Sequence, residues 1–172
     1  HVTTFVGGES SPAPPPAFNR LCRNFPSGLL YVPTVGGGTA NTEFEILSGL
    51  NLDFFGAGEY PYNTILQQEA VESLATNLKA QGYTATAMHN NDDTFYSRNL
   101  VFPNMGFDRF VPIEYMKDVK YTKVGWAKDG KLTDEIMQVL ETTEQRDMLI
   151  CITVESHGKY AETYEPEEGD IE

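Results

Sequence analysis

The sequence predicts an α/β fold: a mostly parallel sheet flanked by helices. Helical patterns alternate with strand-like runs along the chain, the order that builds parallel sheets with crossover helices. Met148 to Val154 is apolar but for Thr153, as strands covered on both faces are. Chemistry-bearing residues also follow predicted strands, where open α/β sheets gather their ligands. Thr39 follows an apolar run from Leu29 to Val35, His89 follows Tyr83 to Met88, and His157 follows Met148 to Val154. Apart from His1, these are the only histidines in the chain.

Val2 to Val6 reads as a short strand, and Ser10 to Pro16, rich in proline, as a loop. Ala17 to Asn24 predicts a short helix with Phe18 and Leu21 on one side, and Leu29 to Val32 a strand. Asn41 to Ser48 is amphipathic and closes on glycine. Ala70 to Gln81 is the clearest helix: Val71, Leu74, Ala75 and Leu78 share a face, and Gly82 ends it. Tyr83 to Met88, with its small and β-branched residues, predicts a strand. Thr94 to Asn104 predicts a helix, Phe107 to Val111 a strand, and Thr133 to Glu141 a helix with Ile136, Met137 and Leu140 apolar.

The 172 residues make one domain or part of a larger one. Net charge is −13, from 25 acidic against 12 basic residues, which argues against non-specific nucleic-acid binding. Glu162 to Glu172 carries six of those acids and no base, so it reads as a solvated tail. A protein this acidic needs local cations, from arginine or a metal, to handle an anion. Cys22 and Cys151 are too few for a disulfide framework and lack metal spacing. Cys151 reads as a buried strand residue. No run is long and apolar enough to span a membrane, and no signal peptide is visible. The chain begins with His1, so it reads as an excised piece, and missing targeting signals say little about its parent.

Thr39 follows Gly36, Gly37 and Gly38 and opens a helical pattern. Glycines let backbone approach a ligand closely, and a helix start offers free N–H groups to an anion. Thr39 is then either a helix N-cap, a frequent role for threonine, or a nucleophile. Thr42 competes for the cap, because Thr42 and Glu45 have capping-box spacing. From the local sequence alone the structural role leads, since glycine-rich loops are weak signals. His89 opens a polar loop running to Arg98. That loop is either a plain entry into a helix, with Asp93 or Thr94 as cap, or a substrate-binding loop. In the second case His89 donates to phosphate oxygens, Tyr96 supplies a flat wall, and Arg98 holds an oxyanion with paired N–H groups. His157 is either a strand-exit histidine bonded to backbone or a donor to a phosphate or leaving oxygen. No Gly-x-Ser-x-Gly elbow is present, which disfavours a Ser-His-Asp hydrolase.

Five segments occur in order: Gly37 to Glu45 (GGTANTEFE), Gly82 to Asn91 (GYTATAMHNN), Thr94 to Arg98 (TFYSR), Met105 to Phe110 (MGFDRF) and Glu155 to Tyr160 (ESHGKY). Together the chain resembles, over roughly residues 11 to 160, the lipoteichoic acid synthase branch of the sulfatase-like, alkaline phosphatase superfamily. That resemblance implies a phosphoglycerol transferase with an extracellular catalytic domain on a bacterial membrane. It implies that Thr39 is the nucleophile and takes phosphoglycerol from a phosphatidylglycerol-type lipid. The group then passes to a glycerophosphate polymer or glycolipid acceptor. It also implies that His89, Tyr96 (commonly tryptophan in the family), Arg98 and His157 line the substrate pocket. A divalent metal, usually manganese with magnesium as the substitute, would activate Thr39. The chemistry is coherent: a metal lowers the hydroxyl pKa, and cations hold the phosphoryl oxygens during in-line displacement.

The sequence departs from that pattern at the metal. The family also uses an early glutamate and a later Asp-His pair, and no aspartate here precedes a histidine. Glu9-Ser10 lies too close to Pro12 to Phe18 to serve as the early motif. The expectation is therefore a partial catalytic domain over 1–160 and an acidic tail over 161–172, with Thr39 the one metal ligand present. True sulfatases need a Cys/Ser-x-Pro-x-Arg motif, and Cys22-Arg-Asn-Phe-Pro has the wrong spacing, which disfavours sulfate-ester hydrolysis. Phosphoethanolamine transferases typically carry several disulfides. The alternatives kept open are a non-catalytic module binding glycerophosphate or anionic head groups, and a sulfatase-family hydrolase of phosphate or sulfate esters.

Overall fold

The computed structural model describes residues 16–28, 30–32, 34 and 38–158, with side chains from Asn19 onward. It divides into two units, residues 1–32 with 162–172 and residues 33–161. The expected strand Val2 to Val6, residues 10–15 of the expected proline-rich loop and the acidic tail lie outside the described residues. In the first unit, α1 spans Pro16–Asn24. Proline fits the first turn because its missing N–H has no partner to lose there. The strand expected over Leu29 to Val32 is not formed at residues 30–32, where Leu30 and Tyr31 are 75% and 88% exposed. An extended run becomes a strand only when neighbours satisfy its backbone groups, and none among the described residues does so.

The second unit carries a three-stranded parallel sheet. Its strands are β1 Tyr83–His89, β2 Arg109–Pro112 and β3 Arg146–Ile152, in the order β2-β1-β3. Thr86 pairs with both Arg109 and Leu149, so the three strands run together toward His89, Pro112 and Ile152. Helices α2 (Thr39–Ser48), α3 (Leu74–Lys79), α4 (Arg98–Asn104) and α5 (Gly130–Thr142) surround it. Parallel strands need crossover connections, and α4 and α5 lie within the two made here.

Alternation along β1 splits the core. Ala85 and Ala87 face a cluster with Phe44 and Leu47 of α2 and Val101 and Phe102 of α4. Met88 faces the other layer, with Leu132 and Val139 of α5. Small residues in β1 let helices approach closely, and Ala85 through Asn90 are all buried. The apolar run ending in β3 predicts burial on both faces, yet Leu149, Ile150 and Cys151 are only half-buried. The fully covered strand is β1, because it is central; β3 is an edge among the described residues. Burial pushes the Cys151 thiol pKa up, and both cysteines are free.

Two helices differ from their expected lengths. The one expected over Ala70 to Gln81 starts only at Leu74, because Ser73 forms a capping box with Thr76. The Ser73 hydroxyl also donates to the Met105 carbonyl at 2.5 Å, and Val71 N–H donates to the Asn104 carbonyl. These bonds draw residues 71–73 across to the end of α4, which sequence periodicity does not register. The helix expected over Thr94 to Asn104 is broken into a 3-10 turn over Phe95–Ser97 followed by α4. Tyr96 and Ser97 have φ of 57° and 54°, in the left-handed region.

Candidate functional site

At the carboxyl end of the sheet lies a cleft of about 80 Å³. Thr39, His89, Tyr96, Arg98 and His157 all line it, so the structure brings all five sequence-predicted residues together. They arrive from three places: the start of α2, the exit of β1 with its following loop, and the turn after β3.

Thr39 is exposed at the first residue of α2. Neither Thr39 nor Thr42 caps the helix. Gly38 occupies the cap position, at φ 90°, with no side-chain cap bond. Glu45 instead accepts a hydrogen bond from the Thr34 hydroxyl at 3.3 Å. Gly38 is required on two counts. Its φ is one that only glycine adopts freely, and a Cβ there would lie 2.5 Å from Cε1 of Tyr60. The Tyr60 ring in turn stacks on Tyr96 at 5.5 Å. The glycine therefore lets α2 begin hard against the aromatic wall.

His89 ends β1 and is 3% exposed. Its Nδ1 donates to the Ile152 carbonyl at 2.9 Å, which places the proton of the neutral ring on Nδ1. Nε2 is buried with no partner among the described residues. Burial lowers the pKa to about 4; the Ile152 carbonyl raises it, the Arg98 charge lowers it and Asp129 raises it. At neutral pH His89 thus offers an acceptor. It suits a ligand hydroxyl, and it donates to a phosphate oxygen only once protonated.

Arg98, at the start of α4, is 1% exposed. Its Nε and Nη2 donate to the two carboxylate oxygens of Glu43 at 3.1 and 2.5 Å, and Nη1 donates to the Phe95 carbonyl at 3.1 Å. The guanidinium carbon lies 5.3 Å from the Tyr96 ring centre and 5.8 Å from that of Phe95. Left-handed backbone at a non-glycine residue costs about 1–2 kcal/mol, and Tyr96 and Ser97 both adopt it to wrap this turn around Arg98. The Gln67 side chain donates to the Ser97 hydroxyl at 2.8 Å and holds the turn. Tyr62 lies beside the ion pair. Burial first, then the Glu43 charge, keep its hydroxyl protonated well above the ordinary range.

His157 is exposed, its ring 4.9 Å from that of Trp126 in an edge contact. Trp126 also lines the cleft, and its indole N–H is buried without a partner among the described residues. Asp129 ties this side to the sheet: it accepts from the Asn90 side chain at 2.8 Å and from Val154 and Glu155 N–H at 3.2 Å. Sequence reasoning missed Glu43, Trp126 and Asp129. Their only signals were a charge one turn beyond Thr39, the chain's single tryptophan, and an acid just before a helix.

The cleft lining suits an anion better than a divalent cation. Its side chains offer the hydroxyls of Thr39, Thr153 and Tyr96, the Asn91 amide, two imidazoles and Arg98, but no carboxylate among the described residues. Hard divalent ions take several oxygen donors, so these residues alone do not fit one. Among the described residues one acidic group, Asp92, Asp93 and Glu114, has metal-ligand spacing, and it lies outside the cleft lining. No helix of the described residues is long and apolar enough to cross a membrane.

A model of the sulfatase family matches residues 6–171. A Rhizobium meliloti protein whose name assigns it to cyclic beta-1,2-glucan modification is 33% identical over 138 residues, covering 80% of this chain and 21% of that protein. A lipoteichoic acid synthase from Staphylococcus saprophyticus is 29% identical over 157 residues, covering 90% of this chain and 23% of that protein. The chain thus spans about a fifth of these relatives' length. Among solved structures, the Streptococcus pyogenes phosphoglycerol transferase GacH, in complex with sn-glycerol-1-phosphate, superposes with a TM-score of 0.64 at 21% identity, covering 83% of this chain and 38% of that one. The Listeria monocytogenes lipoteichoic acid synthase LtaP superposes at 0.58 with 24% identity, covering 70% and 29%. These likenesses establish the alkaline phosphatase-type fold, of which this chain is a part.

Proposed function

The chain belongs to the sulfatase family, and from that premise we propose that it supplies the substrate pocket and nucleophile of a phosphoglycerol transferase. The observation that carries the reading is the meeting of Thr39, His89, Tyr96, Arg98 and His157 at one cleft. In the proposed reaction, Thr39 Oγ1 bonds phosphorus as the bond to the lipid alcohol breaks, and the hydroxyl proton leaves with that alcohol. An acceptor hydroxyl then displaces threonine from phosphorus and returns a proton to it. Arg98 holds phosphoryl oxygens, Tyr96 walls the glycerol, His89 Nε2 accepts from a glycerol hydroxyl, and His157 contacts the phosphate from the open side. The donor is a phosphatidylglycerol-type lipid. The acceptor is a glycerophosphate polymer, a glycolipid or, given the Rhizobium relative's name, an envelope glucan. The setting is the outer face of a bacterial membrane.

A manganese or magnesium ion at Thr39 belongs to the proposal. It would supply Lewis-acid activation of the hydroxyl, with its other ligands contributed from beyond the described cleft lining. The lack of a carboxylate among the described cleft residues favours a second reading, a module that binds glycerophosphate without turning it over.

The test is titration of this chain with sn-glycerol-1-phosphate, followed by NMR at the Trp126 indole and the His157 ring. Saturable shifts in both, unaffected by equimolar sulfate, are expected. No saturable shift overturns the site, and equal competition by sulfate favours sulfate-ester chemistry. Turnover of a phosphatidylglycerol analogue with manganese, abolished by Thr39→Ala, would remove the binding-only reading.

A further inference from the structure

We propose that Glu43 is a positioning residue of the cleft: it grips one edge of the Arg98 guanidinium, so that one N–H on each terminal nitrogen is left for the bound phosphate. The inference rests on the phosphate-binding reading above and adds a residue to it. A guanidinium has five N–H donors in a fixed planar fork. Glu43 takes the Nε donor and one Nη2 donor, and the Phe95 carbonyl takes one from Nη1. One N–H then remains on each terminal nitrogen. A pair of donors from the two terminal nitrogens is the set that meets two phosphate oxygens at once.

Placement supports this role over a purely structural one. A buried ion pair is weak as a device for stability, because desolvating both ions offsets their attraction. Here Arg98 is a wall of the cleft, and its partner comes from 55 residues away on another helix. Glu43 sits one turn after Thr39 in α2, and both Glu43 and Arg98 are nearly fully buried. Any shift of α2 therefore moves the candidate nucleophile and the anchor of the arginine together. The Phe95 and Tyr96 rings lie 5.8 and 5.3 Å from the guanidinium carbon, and bonds from all three of its nitrogens fix the orientation of the fork. Among the described residues no carboxylate other than Glu43 pairs with Arg98.

The experiment compares the Kd for sn-glycerol-1-phosphate in the unaltered chain, Glu43→Gln, Glu43→Asp and Leu47→Ala, at matched folded protein. Leu47, buried on the same helix away from the cleft, is the stability control. Glu43→Gln should weaken binding by about tenfold or more, since a misplaced fork forfeits a charge-assisted bond. Glu43→Asp, which keeps the carboxylate, should fall between it and the unaltered chain. Leu47→Ala should lower Tm and leave the Kd unchanged. An unchanged Kd in Glu43→Gln overturns the positioning role alone. If Glu43→Gln does not fold, Glu43→Asp decides by the same criterion: weakened binding supports the role and an unchanged Kd overturns it. Equal weakening in Leu47→Ala also overturns it, because the loss would then follow stability. Absence of binding by the unaltered chain overturns the phosphate-site reading and this assignment with it.

Discussion

The two walls of the cleft are built by opposite means. The inner wall, His89 and Arg98 with Glu43 behind them, is buried and closely hydrogen-bonded. The outer wall, Thr39 and His157, is exposed, and among the described residues neither side chain is hydrogen-bonded to another element. His89 closes β1 and His157 follows β3, yet one is buried and bonded to the Ile152 carbonyl and the other stands exposed against an indole. Strand-exit position brings a residue to the site; the layers packed over that exit decide its protonation and what it can bind.

The comparison breaks most visibly in stability. Removing one partner of a buried ion pair strands the other, at a cost of about 3–5 kcal/mol. Glu43→Ala should lose that amount in urea unfolding. A loss below roughly 1 kcal/mol, the range of exposed pairs, would mean that the inner wall is not the sealed unit described.

His89 gives the next largest effect, and it depends on pH. The folded pKa of about 4 lies below the unfolded value of about 6.5. Between these values the unfolded chain binds more protons, so stability rises with pH across the window. The contribution is present above about pH 6.5 and is lost as pH falls through the folded pKa, and it is on the order of 3 kcal/mol. Subtracting the pH–stability curve of His89→Asn from that of the unaltered chain should recover this slope between those two values. A flat difference would place the imidazole in contact with water.

The outer wall supplies the smallest effect on folding. Thr39→Ala and His157→Ala each remove an exposed side chain and should change unfolding free energy by less than about 0.5 kcal/mol. Both should still alter the response to sn-glycerol-1-phosphate. A larger loss from Thr39→Ala would restore its reading as a helix cap, a role the structure gives to Gly38.

Much of the site is legible residue by residue. The glycines before Thr39, the two internal histidines and the arginine of the TFYSR segment mark the segments that meet at the cleft. Their partners are not legible. Glu43 lies beside Glu45 in a stretch whose capping-box spacing points to the wrong acid, and only the buried ion pair with Arg98 shows which one is enclosed. Trp126 and Asp129 sit far from any predicted strand exit, on a loop without periodicity; Trp126 lines the cleft, and Asp129 braces the residues that follow β1 and β3. The left-handed turn at Tyr96 and Ser97 reads as helix in the sequence, because local propensity cannot anticipate a backbone shaped around a buried guanidinium.

By itself the sequence determined the α/β class, the parallel sheet and the strand ends that lead to His89 and His157, since periodicity and turn residues act over a few neighbouring positions; the strand expected before Thr39 is not formed at residues 30–32. Tertiary structure decided which strand is central, where the Ala70 to Gln81 pattern becomes helical, that His89 is held neutral and which carboxylate holds Arg98. Those outcomes depend on desolvation and on hydrogen bonds between residues tens of positions apart. Their energies are fixed by what packs over a group, a quantity no local pattern carries.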